Sequence, residues 1–505
     1  MPRFLLVALA VTVGIGVAPG ARPAAAPTAA PRARTAGALR WSSCGGGFQC
    51  STLSLPVDYA APDGAHFDLA VDRLRATDER HRVGALVLNF GGPGDPGTET
   101  LRSFASAVPK AIRSRFDLVS FDPRGIGGSK PIECLDDAQQ DELAAADPTP
   151  NGTGDLPSFY AGTNEPVDLV QACIDRNGTW LAQVGTRNVA RDLDRLRAAL
   201  GSARLYYIGL SYGTVIGAVY AQMFPKQVGR MVVDSPVDLS QTPEQELDGN
   251  AVGFEHALDE FLAWCAGTNR CAFRSGGDPK SALVDLQRRF EAGLTVPTKG
   301  VSGAASTRRA GVGAFYTGII AALYDKTFGW AALAQGLEQA ARGDGTILQE
   351  LADSYNGRRS DGSYDNIQET IGVIRCDDRF DARESYDAFV ADYQRLTAQF
   401  EFLGGLLGSS PIGCDPRLPQ VPAAEMAGDV RVRGTVPILV VGTTNDPATP
   451  YVGAQDIHRR LARSRLLTFQ STEHGAFTRS DCVDSVIDAY LLDGHLPPTG
   501  KGCKT

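Results

Sequence analysis

Apolar positions along this chain follow two alternating rules. Short apolar runs of the kind that form buried strands recur at "FDLAVDRLRA", "VGALVLNF", "FDLVSFD" (Phe116–Asp122), Leu205–Gly209 and "RMVVDSP". Between them come stretches of helical period. In "NVARDLDRLRAALG" (Asn188–Gly201), Val189, Leu193, Leu196 and Leu200 fall on one face and Gly201 ends the helix. A further helix runs from the Ser211 turn to Phe224. Strands alternating with helices predict a doubly wound, mostly parallel α/β sheet.

From about Leu239 the second rule takes over. "HALDEFLAWCAG", "PKSALVDLQRRFEAGL", "GAFYTGIIAALY", "GWAALAQGLEQAARG" and "SYDAFVADYQRLTAQFEFL" are helical in period, with almost no strand signal between them. Near Thr435 the first pattern returns, with "VPILVVGTTND", a helix at "AQDIHRRLAR", the strand "RLLTFQS" and a last helix "CVDSVIDAYLLDG". The predicted organisation is therefore a core in two parts, residues 39–238 and 431–505, with a mostly helical cap inserted over 239–430.

Residues 1–38 follow neither rule. Met-Pro-Arg precedes an apolar run, Phe4–Ala18, which is too short to span a bilayer, and a Pro/Ala-rich linker follows. This reads as an export signal. No cysteine follows the run to take a lipid, so the expected product is secreted, outside the cell or associated with the cell wall, with no membrane anchor after cleavage.

Composition agrees with a loop-rich globular protein: 505 residues, 43% hydrophobic, 56 Gly and 30 Pro. The net charge is −9, and the first 35 residues hold four Arg and no acid. This balance argues against a nucleic-acid partner, which would need clustered Lys and Arg. Ten cysteines, Cys44, Cys50, Cys134, Cys173, Cys265, Cys271, Cys376, Cys414, Cys482 and Cys503, form an even set without any C-x-x-C. In an exported chain they read as disulfides rather than a zinc or redox site. Neighbour-to-neighbour pairing closes the shortest loops and is the expected connectivity.

The chemistry concentrates at Gly209-Leu210-Ser211-Tyr212-Gly213, a G-x-S-x-G placed between a strand and a helix. A serine on that sharp turn is lifted clear of the sheet, and a side chain at either flanking glycine would collide with its neighbours. Ser211 is the candidate nucleophile, and the Tyr212 N–H is a candidate oxyanion donor. Of six histidines, His66 and His81 lie in early polar turns, His256 and His458 in helical patterns and His495 near the C-terminus. His474, in "STEHGAF", follows the last predicted sheet strand, where the order Ser, acid, His wants the base. Asp446 in "TTNDPATP" is the candidate acid, to hold the imidazole tautomer; Asp234 in "VVDSP" competes with it. The glycines of "NFGGPG" (Asn89–Gly94) suit a second oxyanion donor, Gly92, with Gly91 the alternative. No metal site, phosphate loop or dinucleotide fingerprint is found, so no cofactor is expected.

Taken together, "GGPG", "DPRGIGGS", "DLDRLRAALG", "GLSYGT…YAQMFP…VVDSP", "DPATP" and "EHGAF" resemble the secreted tripeptidyl aminopeptidases, proline-iminopeptidase-like serine peptidases of the α/β-hydrolase fold. The resemblance covers residues 40–238 and 430–505; in the cap only "IRCDD" (Ile374–Asp378) is familiar. It implies Ser211 as nucleophile, Asp446 as acid and His474 as base, with Gly92 and Tyr212 at the oxyanion hole. Peptides with a free N-terminus are the substrates it implies, with short pieces, tripeptides by the family's habit, released. Two positions depart from the family pattern. Asp95 follows "GGPG" where further glycine is usual, and Phe90 stands where proline is usual. A carboxylate at 95 would either disfavour an anionic intermediate or attract a substrate amine.

An aminopeptidase holds a cationic amine on carboxylates, and the cap segment "QTPEQELDGNAVGFEHALDEF" offers Glu244, Glu246, Asp248, Glu255, Asp259 and Glu260, a set that also fits a solvated helix face. The rival readings are an esterase or lipase using the same three residues, and a binding protein on a dead hydrolase core. An intact Ser, Asp and His in order disfavours the latter.

Overall fold

The computed structural model describes residues 39–299 and 305–504. The predicted export signal and its linker, residues 1–38, lie outside the described residues. Twelve strands are present among the described residues: β1 (Ser42–Ser43), β2 (Phe48–Pro56), β3 (His66–Leu74), β4 (Gly84–Asn89), β5 (Phe116–Phe121), β6 (Leu205–Leu210), β7 (Val228–Asp234), β8 (Val296–Lys299), β9 (Ala305–Ala310), β10 (Ile438–Thr443), β11 (Ser464–Gln470) and β12 (Gly502–Lys504). Ten form one sheet in the order β1-β2-β3-β5-β4-β6-β7-β10-β11-β12. The pairings β1–β2, β2–β3 and β3–β5 are antiparallel and all others in this sheet are parallel.

The central strands read as nearly unbroken apolar runs because both faces of the sheet are covered. Successive residues serve opposite sides. Val87, Tyr207, Val233 and Val440 join one apolar cluster with the helices Thr186–Ala199 and Gly213–Met223. Leu88, Ile208, Val232 and Val441 join another with Leu101, Phe104, Val483 and Ile487. β7 pairs directly with β10, so the roughly two hundred residues between them leave the sheet and return to the next strand.

That intervening region has an apolar cluster of its own, built from Phe261, Leu283, Phe290, Phe315, Trp330, Leu337 and Leu348 among others. Two findings differ from the expectation of a helical block with almost no strand. A hairpin, β8–β9, pairs antiparallel within it. The helix Ile367–Asp378 and the stretch through Leu418, Ala427 and Val430 place apolar side chains in a sheet-face cluster rather than in the region's own core. The short helices Asp137–Ala145, Leu156–Ala161 and Leu169–Asn177 carry little periodic signal and were not foreseen from sequence.

Five disulfides join Cys44 to Cys50, Cys134 to Cys173, Cys265 to Cys271, Cys376 to Cys414 and Cys482 to Cys503. No helix among the described residues is long and apolar enough to cross a membrane.

Candidate active site

In a parallel sheet the loops at the carboxyl ends of the strands gather at one edge. Here β4 leads to Gly91–Gly94, β6 to Ser211, β7 to Asp234, β10 to Asp446 and β11 to His474. Ser211 sits at φ 54°, in the left-handed region, directly before the helix Gly213–Met223. A non-glycine residue held there stores strain that the surroundings must enforce. The Ser211 N–H donates to the Asp234 carbonyl (3.0 Å), and the Thr214 N–H donates to the Ser211 carbonyl (2.9 Å). The flanking glycines are sterically required: a Cβ on Gly213 would stand 2.7 Å from both the carbonyl and the side-chain oxygen of Asn89. One on Gly209 would run into the Gly213 carbonyl, which instead accepts from the Tyr207 hydroxyl (2.7 Å).

Asp446 and His474 are brought together. The Asp446 carboxylate lies 2.8 and 3.0 Å from His474 Nδ1 through its two oxygens. Asp446 Oδ1 also accepts from the N–H groups of Ala448 (3.0 Å) and Thr449 (2.9 Å), which fixes the carboxylate before it meets the imidazole. The Thr449 hydroxyl stands 3.2 Å from the same Nδ1. Ser211, Asp446 and His474 are 7%, 2% and 5% exposed.

Asp234, the competing acid, has a different task. Its Oδ2 accepts from the Ala476 (3.0 Å) and Phe477 (2.8 Å) N–H groups. Around it the whole histidine loop is strapped down. The His474 N–H donates to the Tyr324 carbonyl (2.9 Å), Gly475 to the Ser235 hydroxyl (2.9 Å) and Thr478 to Asp484 (2.8 Å). Burial pushes the Asp234 carboxyl up to about 6 against the pull of these donors.

At the glycine loop, Gly91 packs against the elbow: a Cβ there would stand 2.8 Å from the Tyr212 nitrogen. The Gly91 N–H donates to Asn89 Oδ1 (3.2 Å), whereas Gly92 lines the cavity beside Ser211. Asp95 is buried and accepts from the Thr100 hydroxyl (2.5 Å); it does not line that cavity. Phe90 is buried in the sheet-face core, stacked edge-on against Phe104.

The cavity holds about 810 Å³. Ser211, Tyr212, Gly92, Tyr324, Ala448 and Thr449 are among its lining residues. Much of its wall comes from a stretch that the sequence left unassigned, including Phe159, Glu165, Asp168 and Val170. Of the six carboxylates singled out between Gln241 and Phe261, Glu246 lines it, paired to Arg375. Asp248 pairs instead with Arg395 (2.7 Å), Glu255 accepts from the N–H groups of Phe402 and Leu403, and Glu260 accepts from the Thr472 hydroxyl (2.8 Å). Glu244 and Asp259 are exposed. Asp168 and Asp415 share Arg417, and burial followed by the charge of Asp168 raises the Glu165 carboxyl.

Beneath the elbow the Tyr212 hydroxyl donates to Asp378, which also accepts from the Thr186 N–H (2.6 Å). Burial, then the charge of Asp378, holds the Tyr212 phenol well above its usual range, so it remains a donor. Its neighbour Asp377 is pushed up to about 8 by burial and then by the charge of Asp378. These two acids belong to the "IRCDD" segment, whose contact with the residue after Ser211 no local pattern discloses.

Residues 84–276 match the family model described as alpha/beta hydrolase fold, and residues 401–503 match the one described as TAP-like protein. Serine protease Hip1 of Mycobacterium tuberculosis is 37% identical over 468 residues, covering 91% of this chain and 88% of that protein. A protein named carboxylesterase B, from the same species, is 37% identical over 471 residues, covering 90% and 86%. The tripeptidyl aminopeptidase of Streptomyces lividans is 33% identical over 491 residues, covering 94% and 87%. With this similarity along nearly its whole length, the chain belongs to the tripeptidyl aminopeptidase-like serine peptidases of the α/β-hydrolase fold.

Proposed function

We propose that this serine peptidase is exported and removes short peptides, tripeptides in the main, from free N-termini through Ser211, His474 and Asp446. The observation that carries the reading is a strained serine between two sterically required glycines, opening on the same cavity as the residues around a buried His474–Asp446 pair. Ser211 Oγ attacks the scissile carbonyl as His474 takes its proton. Asp446, bonded at Nδ1, holds the tautomer that leaves the other ring nitrogen to accept and stabilises the imidazolium as it forms. The N–H groups of Tyr212 and Gly92 receive the oxyanion. His474 then protonates the departing amine, and water repeats the cycle on the acyl-enzyme.

Residues 239–430 act as the cap over this cavity. Its wall carries four carboxylates, of which Glu246 is paired with Arg375 and Asp168 and Asp415 with Arg417; Glu165, which has no such ion pair among the described residues, is the candidate to receive a cationic amine. Five disulfides and the apolar N-terminal run support export.

The relative named carboxylesterase B keeps an esterase as the second reading. One assay separates them: the mature protein and its Ser211→Ala variant on a chromogenic tripeptide anilide, with and without an N-acetyl group. The aminopeptidase reading expects turnover of the free-amine substrate alone, lost in the variant. Equal turnover of both substrates, or activity on simple esters alone, overturns it.

A further inference from the structure

The helix Val312–Leu323, which belongs to the region between β7 and β10, ends in a corner, Tyr324–Asp325, that reaches the histidine loop. We propose that this corner positions His474 for proton transfer, so that part of the catalytic geometry is supplied from outside the sheet. The inference rests on His474 serving as the base.

Two grips hold the loop. At the first, the Tyr324 carbonyl accepts from the His474 N–H (2.9 Å), and the Tyr324 ring stands edge-on to the imidazole, with centroids 5.3 Å apart and planes at 89°. Such an arrangement sets the plane of the imidazole ring as well as its place. Tyr324 is itself braced by Phe254, whose ring lies 5.4 Å away, and by Tyr355, to which its hydroxyl is hydrogen-bonded.

The second grip lies five residues further on. Asp325 is fully buried, and its Oδ1 accepts from the N–H groups of Thr327 (2.8 Å) and Phe328 (2.9 Å), so the carboxylate is fixed to its own turn. Its Oδ2 faces Arg479 Nη1 at 2.8 Å, with the arginine side chain 11% exposed. Arg479 also opposes the burial that raises the carboxyl of Glu473, the residue before the histidine. The contact is an ion pair without a hydrogen bond at Oδ2, and removing either charge would leave the other buried and uncompensated.

The loop is thus held at 474 and 479 by adjacent residues of one corner. Catalytic groups tolerate little displacement: a shift of about 1 Å can lower a rate by about a hundredfold.

The test uses the full chain on the tripeptide anilide. Asp325→Asn keeps the oxygen that caps Thr327 and Phe328 and removes the charge facing Arg479; Arg479→Gln removes the other charge. Each is expected to lower kcat by about tenfold, with KM within about twofold at a temperature well below Tm; Tm itself falls, because each variant leaves one buried charge uncompensated. The rate at which a fluorophosphonate labels Ser211 falls in step, because that reaction needs the same base. The double variant is no slower than the slower single, since both remove one interaction. Arg479→Lys recovers most of what Arg479→Gln loses.

Parental kcat in both single variants, a rise in KM alone, additive losses in the double variant, or no recovery with lysine each overturns the proposal. Retained activity in Ser211→Ala overturns the functional reading beneath it. A dead Ser211→Ala alongside parental kcat in the corner variants removes the positioning role alone.

Discussion

The turn at Ser211 and the loop at His474 lie at the same edge of one sheet, yet they are held by opposite means. The turn at Ser211 is made largely by its own neighbours. Gly209 and Gly213 clear the space, Tyr207 reaches six residues along to the Gly213 carbonyl, and the first turn of the next helix closes on Ser211 itself. The loop from His474 to Thr478 contributes almost nothing to its own shape. Four of its backbone N–H groups go to Tyr324, Ser235 and Asp234, far away in the chain, and only that of Thr478 bonds nearby, to Asp484. A locally made turn announces itself in sequence; a loop made by others does not.

Removing the chemistry outright gives the largest effect. Ser211→Ala and Asp446→Asn are each expected to lower kcat/KM on the anilide by about 10⁴-fold, with circular dichroism unchanged, the second because the imidazole loses its tautomer. A loss below about tenfold for Asp446→Asn would point to another acid. Gly213→Ala attacks the local construction. Its Cβ must displace Asn89, so a destabilisation of about 1–3 kcal/mol in denaturant unfolding is expected together with loss of turnover.

Asp234 probes the non-local construction. Asp234→Ala leaves two buried N–H groups without an acceptor, a cost of about 1–3 kcal/mol each, and slows turnover by loosening the loop. Asp234→Asn keeps an acceptor and adds a donor on the side where Oδ1 has none, so its activity stays nearer the parent's. Equal rates for the two would show that the straps do not matter.

The smallest effect concerns pH. Burial raises Asp377 to about 8, Glu369 to about 7 and Asp234 to about 6, so over this window the folded chain holds protons that the unfolded chain has released. Their contribution to stability is present at low pH and is lost as pH rises through these values. Asp377→Asn is expected to flatten the fall in Tm between about pH 4 and 8; an unchanged slope would contradict the assignment.

The same contrast decides what the sequence makes readable. The parallel strands are visible because burial on both faces writes them as continuous apolar runs, and Gly209 and Gly213 mark the serine because nothing larger fits. The His474–Asp446 contact could be anticipated from chain order alone. The cavity wall over 148–170, the Asp378–Tyr212 bond across 166 positions and the Tyr324 corner are invisible, because each depends on where distant helices settle. The hairpin β8–β9 escapes for a simpler reason: its second strand, "ASTRRA", has little apolar content.

The disulfides carry a consequence of another kind. Their partners are separated by 6, 39, 6, 38 and 21 residues, and none joins the region between β7 and β10 to the rest of the chain. Each bridge can therefore close once its own short segment is free, whatever the remainder is doing. A chain emerging N-terminus first never has to keep an early thiol waiting for a late one. Wrong partners are disfavoured by timing before any native packing exists to disfavour them.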